Sequence, residues 1–299
     1  MRSPDTTIFR GIIPPMVTPF RSDGTIDEEA HRADVRHLIA AGVHGLAVCG
    51  STGEGHTLTT DETRRITAWT VDEARGRVPV IAGIITDSTQ SAIERGKAVA
   101  DLGAAALQVT PVHYVFRPDD DSMVRHFAAI AEGTGMPVIL YNVVPWSYLL
   151  PPLLVRLLRD VDGVIGVKQS ASDMKALADL LLLTEEAGIA SRVRILSAVD
   201  ALLYPSFQLG AHGAVAAILT AAPEWCVALW NAVREGRGDA LDLHKRLLRL
   251  WNAIDAPNLP ANVRTAMRLT GREGGVPRPP MAPSSPEQEM RIRAALQRG

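Results

Sequence analysis

The chain has 299 residues, 46% hydrophobic and 21% charged, the balance of a water-soluble globular protein with ample length for a large core. A formal net charge of −2, with arginines scattered among acids, gives no footprint for nucleic acid or an anionic membrane surface. Cys49 and Cys226 are too sparse for a disulfide framework or a metal site. With no apolar h-region at the N-terminus and no stretch of about 18 uncharged apolar residues, a cytoplasmic protein is expected.

Short apolar runs alternate with longer amphipathic stretches along the chain. The runs cover 11–17, 45–49, 78–83, 105–109, 137–141, 164–168, 194–197 and 213–217. They are often rich in Val and Ile and bounded by Gly, Pro, Ser or Thr, as buried parallel strands are. Between them lie segments of helical period. In 27–41, Ala30, Ala33, Val35, Leu38 and Ile39 fall close to one stripe, Thr60 opens 61–75, and Ser172 caps 173–187. Each strand-plus-helix unit spans roughly 20–35 residues, the size of a βα repeat. Eight such units predict a closed (β/α)₈ barrel over an open doubly wound sheet. After the eighth run the pattern is purely helical, at 223–234, 240–254, 260–269 and 286–297, with a proline-rich loop over 274–285. The expected organisation is a barrel over 1–220 and a C-terminal helical subdomain over 221–299.

Three features carry possible chemistry. Only four lysines occur, and Lys97, Lys175 and Lys245 fall on amphipathic helices, where solvation explains them. Lys168 ends the run Val164-Ile165-Gly166-Val167, so its stem leaves a buried strand at the barrel face where active sites sit. Desolvation there favours the neutral amine, the form that attacks a carbonyl. The competing reading is a strand-end lysine that snorkels or pairs with a carboxylate. Directly after the second run comes Gly50-Ser51-Thr52-Gly53-Glu54-Gly55, whose turning backbone and two hydroxyls suit a substrate carboxylate. A phosphate loop fails on charge, since His56 replaces the lysine and Glu54 would repel phosphate; a plain turn stays open. Tyr141, ending the fifth run, is either a packing residue with a polar tip or a phenol able to shuttle protons beside Lys168.

In order along the chain, Gly11-Ile12-Ile13-Pro14-Pro15, Val17-Thr18-Pro19-Phe20, Gly50-Ser51-Thr52-Gly53-Glu54, Thr110-Pro111, Tyr141-Asn142 and Gly166-Val167-Lys168 resemble the dihydrodipicolinate synthase/N-acetylneuraminate lyase family of class I aldolases. Gly210-Ala211-His212-Gly213 and the Ser197 region extend the resemblance to nearly the whole length. It implies a (β/α)₈ barrel with a helical tail, no metal or organic cofactor, and a homo-oligomer, a dimer or a tetramer built from dimers. It also implies that Lys168 forms a Schiff base with pyruvate or a related 2-oxo acid and that Tyr141 transfers protons. Ser51 and Thr52, with Gly50, would bind the carboxylate, Thr52 would link Tyr141 into a relay, and backbone at Ala198 and Val215 would line the site.

The chain departs from the family pattern twice. Where a Tyr-Tyr pair often follows Thr-Pro, it reads Val112-His113-Tyr114, so either His113 or Tyr114 is the candidate to complete the relay. Synthases of the family resemble Tyr-Asn-x-Pro-x-Arg at the fifth strand, the arginine holding the carboxylate of the aldehyde partner. This chain reads Tyr141-Asn142-Val143-Val144-Pro145-Trp146-Ser147-Tyr148, without arginine, which removes a contact worth about 1.5–3 kcal/mol. The expected function is a lyase acting through a lysine imine, by aldol cleavage, condensation or dehydration. The alternatives are 4-hydroxy-tetrahydrodipicolinate synthase, using pyruvate and aspartate semialdehyde, and a non-catalytic 2-oxo acid binder. A metal-dependent aldolase is disfavoured, because the eight histidines show no ligand spacing.

Overall fold

The computed structural model describes residues 5–112, 114, 116–170 and 173–298. Strands and helices alternate: β1 (Gly11–Ile12), α1 (Glu28–Ala40), β2 (Leu46–Val48), α2 (Thr60–Ala74), β3 (Val80–Ile84), α3 (Thr89–Ala100), β4 (Ala106–Val109) and α4 (Asp120–Thr134). The second half continues with β5 (Val138–Asn142), α5 (Pro151–Asp160), β6 (Val164–Gln169), α6 (Met174–Glu186), β7 (Arg194–Ser197), α7 (Leu203–Gln208) and β8 (Gly213–Ala214). The tail is α8 (Ile218–Ala221), α9 (Pro223–Arg234), α10 (Ala240–Ile254), α11 (Leu259–Leu269) and α12 (Pro286–Gln297). All ladders are parallel, in the order β1-β8-β7-β6-β5-β4-β3-β2. The fold is the expected (β/α)₈ barrel followed by helices.

Closure falls between β1 and β2, and there the sequence expectation of a strand over 11–17 needs correction. Pro14 and Pro15 have no N–H to donate, so the regular ladder ends at Ile12. The chain nevertheless stays extended: Ile12 O accepts from His44 N (2.8 Å), Pro14 O from Ala47 N (3.0 Å), and Met16 N donates to Ala47 O (2.8 Å). Two helix starts also move. Thr59, not Thr60, caps α2, in a reciprocal box with Glu62. Asp173 caps α6, its side chain accepting from Lys175 N, and the expected cap Ser172 lies outside the described residues.

Inside the barrel, Phe9, Ile13, Ala47, Ile81, Ala106, Ile139, Ile165, Leu196 and Val215 form one apolar cluster, with contributions from around the sheet. A second shell of core lies between sheet and helices. Part of it joins Ile12, Leu46 and Val35 to Leu229, Leu250, Val263 and Ile292, so the tail helices share a continuous core with the barrel.

A single ladder irregularity, on β6, orients Lys168. Val138 pairs with Val164, but Ile139 pairs with Gly166, leaving Ile165 as an extra residue on β6. Residues three apart on a regular strand face opposite sides. With the bulge, Ile165 packs in the barrel interior, Val167 faces the helices, and Lys168 turns inward again, beside Tyr141. Gly166 is needed at this point, because a Cβ would lie 2.4 Å from Arg194 O on β7.

Candidate active site

Lys168 and Tyr141 are paired neighbours on β6 and β5, at the C-terminal end of the barrel. Lys168 is 3% exposed, and its Nζ lies 3.6 Å from the centroid of the Tyr141 ring. It has no hydrogen bond or ion pair among the described residues. The other lysines differ: Lys175 pairs with Asp179 and Lys245 with Asp242, while Lys97 is exposed. A buried amine held against an aromatic face, with no ion-pair partner among the described residues, is a group that could add to a carbonyl.

The loop after β2 lies across the barrel mouth from β6. It is closed by Gly55 N donating to Gly50 O (2.9 Å) and Glu54 N to Ser51 O (3.0 Å), while the Thr18 hydroxyl donates to Gly53 O (2.7 Å). Ser51 is exposed and Thr52 buried. Thr52 Oγ1 and the Tyr141 hydroxyl make no direct hydrogen bond to each other. Glu54, with φ of 54°, turns away from the mouth and is fully buried. Its carboxylate lies 2.7 Å from Arg264 Nη2 and accepts from Arg278 N (2.9 Å). Arg264 Nη2 also donates to Thr18 O (2.7 Å), so the tail anchors both segments of this rim.

Ala198 follows β7 and donates its N–H to Gln169 O (2.8 Å) on the lysine strand. Val215 belongs to the apolar interior cluster and forms floor rather than rim. Tyr114 is 62% exposed; its ring neighbours Phe116, and its carbonyl accepts from Trp146 Nε1 (2.7 Å). His113 lies outside the described residues.

Several rim groups were given no site role from sequence. Among the described residues, Gln108 on β4 is buried with its Oε1 unpartnered, and Thr110, just beyond, has its hydroxyl in the same condition. Buried polar atoms of this kind want a partner, and an alternating strand with a polar residue facing inward was the available signal. Asp200, just after β7, accepts from Ile218 N (2.8 Å). Burial pushes its carboxyl up to about 7, opposed by that hydrogen bond and by the charge of Lys168. Its position after a strand's C-terminal end was the signal. Asn142 is committed to structure: it donates to Leu149 O and Gln169 Oε1 and accepts from Leu149 N, all at 2.9 Å. Gln169 in turn donates to the Tyr148 hydroxyl (2.6 Å). Among the described residues no group of three or more His, Cys, Asp or Glu is placed to hold a metal ion, and no helix is long and apolar enough to cross a membrane.

The chain matches a family model, described as the dihydrodipicolinate synthetase family, over residues 8–298. The chain belongs to that family. It is therefore an enzyme of the lyase class. A 4-hydroxy-tetrahydrodipicolinate synthase of Methanothrix thermoacetophila is 35% identical over 292 residues, covering 97% of this chain and 96% of the relative. Among solved structures, YagE, an E. coli prophage protein of the family crystallised with pyruvate, superposes with a TM-score of 0.91 at 29% identity, covering 97% of this chain and 98% of that one. A dihydrodipicolinate synthase of Thermotoga maritima gives a TM-score of 0.92 at 28% identity, over 97% and 98% of the two chains.

Proposed function

We propose that this family member is a Schiff-base aldolase, lyase or dehydratase acting on pyruvate or a related 2-oxo acid, with Lys168 as the nucleophile. The observation that carries the reading is the buried Lys168 amine over the Tyr141 ring, with no ion pair among the described residues. Nζ adds to the keto carbon, and loss of water from the carbinolamine leaves an iminium. Its positive charge draws electrons from the adjacent C–H or C–C bond, giving an enamine that attacks an aldehyde or, in reverse, follows cleavage. The Tyr141 phenol moves the protons of carbinolamine formation. Ser51, Thr52 and the Gly50 backbone take the carboxylate, with Ala198 and Val215 closing the wall and floor. The substrate, rather than a direct hydrogen bond, would bridge Thr52 to Tyr141.

The curated relatives favour 4-hydroxy-tetrahydrodipicolinate synthase as a second reading. Against it stands the segment after β5, where Trp146, 53% exposed, occupies the turn in which an arginine would hold a second carboxylate. A less polar aldehyde partner fits better. The chain would act as a homo-oligomer, with His113 or Tyr114 of a neighbouring copy completing the relay; the exposed Tyr114, Phe116 and Leu150 support this.

Borohydride reduction in the presence of pyruvate tests the reading. An adduct mapped to Lys168 supports it, whereas folded protein with no adduct from pyruvate or larger 2-oxo acids sinks it. Efficient condensation with aspartate semialdehyde would move the assignment to the synthase.

A further inference from the structure

The N-terminal end of the barrel, away from Lys168, carries a second cavity of about 790 Å³. It is built where β1, β2, β7 and β8 begin, against α7 and α9. Arg10, His44, Arg194, His212 and Arg234 line it, and its lining includes no carboxylate. Asp5 interacts electrostatically with Arg194, but its Oδ1 is taken up by Thr7 N (2.9 Å) and the Thr7 hydroxyl (2.6 Å).

Three of the five donors are fixed by hydrogen bonds, while Arg10 and Arg234 are exposed at the edge. Arg194 is 8% exposed; its Nε donates to Thr6 O (3.0 Å) and its Nη1 to Val193 O (2.7 Å) and Ser191 O (3.3 Å). Among the described residues only carbonyls accept hydrogen bonds from this guanidinium, and Nη2 has no hydrogen-bond partner there. His44 Nδ1 accepts from Ile12 N (3.2 Å) and His212 Nδ1 from Ile195 N (3.1 Å). Each ring, neutral, must then carry its proton on Nε2, which becomes a free donor. Gly11 leaves room for this arrangement, since a Cβ there would lie 2.5 Å from the His44 ring. Phe207 and Trp230, in edge-to-face contact at 4.9 Å, add an apolar wall.

We propose that this cavity binds a small multivalent anion, a phosphate ester or a di- or tricarboxylate. Three guanidinium groups and two imidazole N–H donors converge on a volume suited to a metabolite, and guanidinium forks match phosphate and carboxylate oxygens. The site is independent of the Lys168 chemistry.

Calorimetric titration of the full-length protein with inorganic pyrophosphate and with citrate, at low ionic strength, tests it. Saturable binding of either is expected, weakening as salt is added. Tighter pyrophosphate identifies a phosphate ester, and tighter citrate a polycarboxylate. Arg10→Glu with Arg234→Glu should weaken binding by at least about tenfold. Both side chains are exposed and outside the Lys168 rim, so pyruvate trapping at Lys168 should persist. If that double variant misfolds, Arg10→Gln with Arg234→Gln replaces it. Absence of saturable binding by wild type, equal affinity in the folded variant, or displacement of the anion by pyruvate would each overturn the proposal.

Discussion

At the lower end of the barrel the inward positions of β4, β5 and β6 hold Ala106, Ile139 and Ile165, whereas further up the same strands they hold Gln108, Tyr141 and Lys168. Successive inward residues on β5 are thus Ile139 and Tyr141, two apart, one closing the apolar core and the other facing the Lys168 amine. The lower layer stabilises by removing apolar surface from water. The upper layer does the reverse, holding buried polar atoms such as Gln108 Oε1 and Thr110 Oγ1 without hydrogen-bond partners among the described residues. Such atoms cost stability, and a site that must accept a polar substrate needs them.

The largest effect should come from the upper layer. Lys168→Ala is expected to lower turnover by at least about a thousandfold and to abolish borohydride trapping. Its melting temperature should change little, because Nζ has no hydrogen bond or ion pair to lose among the described residues. A large loss of stability would mean that the two layers are not distinct. Arg264→Ala comes next, since it leaves Glu54 buried beneath the 50–55 loop without its guanidinium partner. Urea denaturation should show a loss of about 3–5 kcal/mol. A raised KM with trapping preserved at saturating pyruvate would mark Arg264 as a positioning residue. In the lower layer, Ile139→Ala should cost about 2–5 kcal/mol while kcat stays near wild type. A collapse of kcat with stability intact would reverse the comparison.

The smallest effect is a pH dependence at Asp200. Its folded-state pKa, about 7, lies above the ordinary 3.8 because burial favours the neutral acid. The stability it contributes is therefore complete below about pH 4 and is lost as pH rises through about 7. Asp200→Asn should melt like wild type near pH 4 and at a higher temperature at pH 8. Matching melting curves across that range would show that Asp200 titrates as an ordinary exposed carboxylate.

Much of the architecture was legible in local pattern. The runs at 194–197, 223–234, 240–254 and 286–297 are the observed elements residue for residue, because apolar periodicity and capping are properties of neighbouring residues. Lys168 stood out for the same reason, as the lysine closing a buried strand. What neighbours along the chain cannot encode is register. The extra residue Ile165, admitted by Gly166 against Arg194 O, returns Lys168 to the interior beside Tyr141. Without it the same sequence would point the amine at the helices. The Glu54–Arg264 pair, the burial of Asp200 and the committed Asn142 likewise depend on groups far away in sequence. Sequence alone determined which segments are strands and helices, because that follows from local backbone and side-chain preferences. Tertiary structure decided which side chains meet at the barrel mouth, because strand register and long-range burial exist only once the barrel has closed.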